Sequence, residues 1–207
     1  VGANAGNLTF SSSAGIVSSS NTTTTTYGVG GIVGQNNSTG TIDRVFSVAT
    51  VTGNGAGATN MLVGGVVGNN NGGTLSNAYA AGTGTLIRSS GFAGGLAGAN
   101  SGTISNSYAT EPVAGASTVS GGLVGDNTGG TLTNSFWDTT TTGKTAAVAS
   151  GGSAGTLNDN AGMVTAQMQT LANYNSSTTA NGNHNPGWDL TSVWNPPVAT
   201  ALYPALR

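Results

Sequence analysis

The chain contains no cysteine, which removes disulfide frameworks and thiolate metal sites together. It is nearly as poor in charge. Lys, Arg, Asp and Glu supply 5% of its residues, against about 25% in ordinary soluble domains. Four Lys and Arg over 207 residues cannot track a phosphate backbone, so nucleic-acid partners are set aside. No run of about 20 apolar residues is present, so no membrane-spanning helix is expected. The start, Val1-Gly2-Ala3-Asn4, lacks an initiator Met, a basic segment and an apolar segment. The chain is therefore expected to be a fragment or mature product whose export signal lies elsewhere.

Catalytic groups are equally scarce. His184 is the only histidine, which excludes a multi-histidine zinc site; it stands in a polar loop and reads as solvated. No Gly-x-Ser-x-Gly elbow occurs. The carboxylates Asp43, Glu111, Asp126, Asp138, Asp159 and Asp189 fall at different places, without the paired pattern that glycoside hydrolysis needs. No catalytic or metal residue is assigned, and no cofactor. Calcium held by Asp126 and nearby carbonyls is an alternative, although no acidic calcium-loop spacing supports it.

What is abundant is glycine, 36 residues of it, with Ser, Thr, Asn and Ala. That composition could mean disorder, but apolar residues return at fixed places. Copies of a Gly-Gly-apolar-apolar-Gly unit begin at Gly30, Gly64, Gly94 and Gly121, which are 34, 30 and 27 residues apart. Each runs into a second unit: Gly40-Thr41-Ile42-Asp43-Arg44-Val45-Phe46, Gly73-Thr74-Leu75-Ser76-Asn77-Ala78-Tyr79, Gly102-Thr103-Ile104-Ser105-Asn106-Ser107-Tyr108 and Gly130-Thr131-Leu132-Thr133-Asn134-Ser135-Phe136. A weaker copy precedes them at Gly6-Asn7-Leu8-Thr9-Phe10.

Within a unit, Ile104, Asn106 and Tyr108 alternate with Ser105, Ser107 and Ala109, the period of a strand. A 30-residue unit of short strands cannot bury its own apolar face, whereas stacked copies can. The expected fold is all-β: a parallel β-solenoid (β-helix) of about five coils over residues 1–145. Residues 146–207 are expected to form an irregular C-terminal cap containing a short helix. Stacking would place Leu75, Ile104 and Leu132 in one row, Phe46, Tyr79, Tyr108 and Phe136 in an aromatic stack, and Asn77, Asn106 and Asn134 in an amide ladder.

In the cap, Thr165–Ala172 suits a helix with Thr165 as its N-cap. Trp188, Leu190, Val193 and Trp194 are expected to shield the open end of the stack. Trp188, Trp194 and Trp137 are also the candidate ligand-binding residues, as flat faces for a sugar ring. Copies differ most after the aromatic, at Asn54–Asn60, Thr83–Ser90 and Glu111–Ser117, where loops could form a binding side.

The sequence Gly121-Gly122-Leu123-Val124-Gly125-Asp126-Asn127, with Gly102-Thr103-Ile104-Ser105-Asn106-Ser107-Tyr108-Ala109, resembles the GLUG repeat of bacterial surface proteins. Gly94-Gly95-Leu96-Ala97-Gly98 matches as well. Ser135-Phe136-Trp137-Asp138-Thr139, Thr165-Ala166-Gln167-Met168, Gly187-Trp188-Asp189 and Tyr203-Pro204-Ala205-Leu206-Arg207 are similar to tails of filamentous-haemagglutinin-like exoproteins of Gram-negative bacteria. The likeness spans roughly residues 30–207. The first copy departs from it, with Asp43-Arg44-Val45 in place of Ser-Asn-Ser.

The resemblance implies a secreted or cell-surface adhesin exported by two-partner secretion, with a role in attachment or biofilm. Implied partners are a host or surface glycan or protein, copies of itself, and neighbouring repeats of a longer polypeptide. Alternatives are a carbohydrate-binding module, a self-assembling filament subunit, an ice-binding protein using Thr22–Thr26, Thr139–Thr142 or the recurring Thr41, Thr74, Thr103 and Thr131, and a polysaccharide-active enzyme.

Overall fold

The computed structural model describes residues 1–20, 26–53, 60–84, 87–88, 91–115, 118–151, 155–197 and 202–207. They form a parallel β-solenoid of about four turns, the first already contributing a strand to every face, with partial levels added beyond the fourth. The first face stacks Ala3–Asn4, Val33–Asn36, Val67–Asn70, Ala97–Asn100, Val124–Asp126 and Val148–Ser150. The second stacks Asn7–Ser13, Thr41–Ser47, Thr74–Ala80 and then three levels split into pairs: Thr103–Ser105 with Tyr108–Ala109, Thr131–Thr133 with Phe136–Asp138, and Thr156–Asn158 with Ala161–Met163. A third face holds Ile16–Ser19, Thr50–Gly53 and Ile87–Arg88, and a fourth holds Tyr27–Gly30, Met61–Gly64, Phe92–Gly94 and Ser120–Gly121. The pairing continues through Val124↔Val148, Leu132↔Leu157 and Phe136↔Ala161. The solenoid therefore runs to Met163 and does not end near residue 145.

Two features of the repeat fix the cross-section. The second glycine of each Gly-Gly pair sits where the coil pinches. A Cβ on Gly65 would lie 2.3 Å from the Gly95 carbonyl oxygen and 2.6 Å from Ala80 Cβ, so only glycine fits. The pinch separates a larger apolar core, with Val33, Ile42, Val67, Leu75, Leu96, Ile104, Leu123 and Leu132, from a smaller one with Val29, Val51, Met61, Val63 and Val113.

The other feature is a left-handed residue within every second-face level: Phe10, Arg44, Asn77, Asn106, Asn134 and Asp159, with φ between 47° and 55°. This bulge interrupts the alternation. Ile104 points inward, but past Asn106 the parity flips: Ala109 joins the larger core, and Tyr108, also buried, joins the separate cluster formed with the C-terminal residues. Strict alternation across Ile104, Asn106 and Tyr108 is thus corrected: the aromatic side chain points out of the coil, away from the larger core.

The asparagine ladder also belongs to a different row. Asn77, Asn106 and Asn134 do not bond one another, and Asn77 donates to Asp43 Oδ1 instead (2.7 Å). They stand at the bulge because Asn tolerates φ > 0 better than most residues. The ladder is built by the Asn that ends each Gly-Gly unit. Asn4 Nδ2 donates to Asn36 Oδ1, Asn36 to Asn70, Asn70 to Asn100 and Asn100 to Asn127, at 2.8, 2.8, 2.7 and 2.7 Å. From Asn36 to Asn127 the row is buried, and Asn36, Asn70 and Asn127 also donate to the carbonyls of Gly40, Gly73 and Gly130.

Candidate functional site

Because the bulge turns the aromatic row outward, its flank needs a cover, and the C-terminal residues supply it. Phe46 stacks on Tyr79 at 4.9 Å and Tyr79 on Tyr108 at 5.0 Å, both pairs within 6° of parallel. Phe136 shares their register but meets Tyr174 edge-on at 5.8 Å. Over this row the tail lays two short helices, α2 (Thr165–Met168) and α3 (Ala172–Asn175), then Trp188, Trp194 and Tyr203. Val164, not Thr165, occupies the N-cap of α2, and its N–H donates to Gln167 Oε1.

The tail is tied to the coil by Trp188 Nε1 donating to the Asn134 carbonyl (3.1 Å) and Tyr108 Oη donating to the Pro204 carbonyl (2.6 Å). Tyr203 Oη also donates to Asp138 Oδ2 (2.7 Å). Burial raises the Tyr203 hydroxyl to about 12, and the Asp138 carboxylate adds to that. A two-stranded ribbon, Trp194–Asn195 with Ala205–Leu206, carries the tail back along the row.

The tail is consequently a lateral clasp. It does not close the end of the stack, where Leu157 in the last level is 41% exposed. The large residue inside the final turns is Trp137, which succeeds Ala109 in register and lies against Gly122, with Nε1 donating to the Lys144 carbonyl (2.9 Å).

This arrangement decides the fate of the candidate sugar platforms. Trp137, Trp188 and Trp194 are 5%, 4% and 0% exposed, so none offers a face to a ligand. Their rings are spent on packing, Trp188 and Trp194 on each other at 4.7 Å. His184 is not loose in solvent: its ring lies over Phe136 at 6.3 Å, with Nδ1 3.9 Å from Asp159.

The carboxylates are engaged structurally. Asp126 Oδ1 accepts from Thr128 N and Oγ1, the geometry of a turn. Among the described residues, no group of three His, Asp or Glu could hold a metal ion. Asp138 caps the short helix α1 (Thr139–Thr142), accepting from Thr140 and Thr141 N–H. Asp189 accepts from Thr191 and Ser192, and those bonds hold its carboxyl well below the usual range.

Glu111 is the exception. It is fully buried, packed against Gly65 and Gly82 of the preceding turn, and neither carboxyl oxygen makes a hydrogen bond. Burial pushes it up to about 8; the Val51 N–H facing it offsets part of that but lies outside bonding geometry.

The threonines give one ladder row, Thr41–Thr74–Thr103–Thr131–Thr156, while Thr139–Thr142 is helical. Thr22–Thr25 and, of the variable loops, 54–59, 85–86, 89–90 and 116–117 lie outside the described residues.

Among the open grooves of the described residues, two on the flanks of the coil were missed by sequence reasoning. One, of about 270 Å³, is lined by Leu62, Asn69, Phe92 and Asp126. The other, also about 270 Å³, lies between the first two levels of the second face and the end of the tail, lined by Phe10, Ser11, Ser12, Arg44, Phe46, Leu206 and Arg207. The departure of Phe10 and Arg44 from the Asn of the other copies was the sequence signal for the second groove. No family model matches the chain, and no curated protein or solved structure matches it.

Proposed function

We propose that this chain is a non-catalytic, extracellular structural segment of a bacterial surface or secreted adhesin. The observation that carries the reading is the continuous internal bracing. Backbone ladders, the asparagine ladder and the lateral clasp all tie turn to turn, while the carboxylates serve turns, caps and packing. Such a unit transmits force between whatever lies at its two ends and presents its flanks for contact.

Its six levels, spaced by about 4.8 Å, climb only about 25 Å, so the segment is a short block and not a rod. The decisive test is therefore attachment, not shape. The chain is displayed on a non-adherent bacterium through an outer-membrane anchor, and retention is measured in a flow cell on glycan-coated, protein-coated and bare surfaces. Retention several-fold above an anchor-only strain is expected. Retention equal to that strain on every surface overturns the reading, as does release of reducing ends from any polysaccharide offered.

A further inference from the structure

The left-handed position of the second face carries Asn or Asp in its last four levels, Asn77, Asn106, Asn134 and Asp159, but Phe10 and Arg44 in the first two. A side chain without Asn-like local bonding loses about 1 kcal/mol or more in that conformation. The same two coils therefore accept strain at adjacent positions, and the side chains placed there meet. The Arg44 guanidinium lies 5.1 Å from the Phe10 ring centroid, and Phe10 is 68% exposed.

Arg44 Nε forms an ion pair with Asp43 Oδ2 at 3.3 Å, and among the described residues that nitrogen makes no hydrogen bond. The other oxygen of Asp43, Oδ1, accepts from Ser76 and Asn77. Phe10 and Arg44 open on the groove shared with Phe46, Ser11, Ser12 and Arg207. Arg207 is held there by bonds from its guanidinium to the Trp194 and Leu190 carbonyls. Two of the four cationic residues of the chain thus converge on one aromatic groove.

We propose that this groove binds uronate residues of an acidic polysaccharide. A pyranose ring offers a C–H face to Phe10 and Phe46 and hydroxyls to Ser11 and Ser12, while its carboxylate matches a guanidinium edge in a bidentate pair. The groove volume suits one or two sugar residues better than a longer buried ligand. The proposal deepens the adhesin reading by naming the chemistry of one contact, and it stands or falls separately from flow-cell retention.

The repeat itself supplies the test. Phe10→Asn and Arg44→Asn install the residue that the other coils carry at this position, so each variant should fold at least as stably as the parent. Binding of short oligogalacturonates is measured by titration calorimetry on the full chain and both variants, with thermal midpoints to confirm folding. The parent should bind, each variant should bind at least tenfold more weakly, and added salt should weaken the parent. Methyl-esterified oligogalacturonate, which keeps the ring and loses the charge, should not bind. The proposal is overturned if the parent shows no binding, if both folded variants bind like the parent, or if the methyl ester or poly-glutamate binds equally well.

Discussion

Replacing Glu111 by Gln should change how stability depends on pH, and the size of the effect can be worked from the site. The Glu111 carboxyl is held at about 8 in the folded chain, against 4.5 for a free glutamate, because it is buried without a hydrogen-bond partner. Between those values the folded state keeps a proton that the unfolded state has lost. Stability is therefore complete below pH 4.5 and falls by ~1.4 kcal/mol per pH unit up to about 8, beyond which it is level. The full loss is about 5 kcal/mol, an upper bound, because water entering beside Gly82 would relieve part of it. Gln keeps the shape and cannot ionise. The variant should match the parent near pH 5 and exceed it by about 2–5 kcal/mol near pH 9. Urea unfolding followed by fluorescence of the three buried tryptophans reads this directly. The single histidine is common to both proteins and cancels in the difference. Parallel pH profiles for the two proteins would refute the argument and place the carboxylate in contact with water.

The two asparagine rows should respond differently to alanine. Asn100→Ala removes one ladder member, leaves the buried Asn127 Oδ1 without its donor and takes from Asn70 Nδ2 one acceptor while the Gly73 carbonyl stays, for a loss of about 2–4 kcal/mol in urea unfolding, whereas Asn106→Ala should lose only about 1 kcal/mol of backbone preference. Asn106→Gly should be close to neutral, and a loss like that of Asn100→Ala would show a side-chain role for the bulge row. Trp188→Phe should be about 1 kcal/mol more damaging than Trp194→Phe in the same assay. Trp188 Nε1 bonds the Asn134 carbonyl, while the buried Trp194 Nε1 has no acceptor among the described residues. Trp137→Ala empties the space against Gly122 and should lower stability by about 3–5 kcal/mol; a smaller change measured calorimetrically would mean that the last turns collapse onto the gap.

Much of the architecture was legible in the chain because a solenoid translates sequence period into spatial period. Copies about thirty residues apart sit one level apart, so Leu75↔Ile104↔Leu132 and Tyr79↔Tyr108 follow from spacing alone. Scarcity of charge and absence of cysteine likewise left backbone ladders and apolar rows as the means of holding the turns together.

Spacing could not say which way each side chain points. That depends on one backbone torsion per level. With Asn106 left-handed, Tyr108 leaves the interior, the tail must cover it, and the tryptophans that might have met a ligand are buried in the seam. The same torsion moved the amide ladder to the asparagines of the corner and set Phe10 and Arg44 side by side. Sequence alone determined which residues stack, because repeat length is a one-dimensional quantity. Tertiary structure decided which face they occupy, because facing is set by local backbone sterics and by whatever distant segment covers the surface they create.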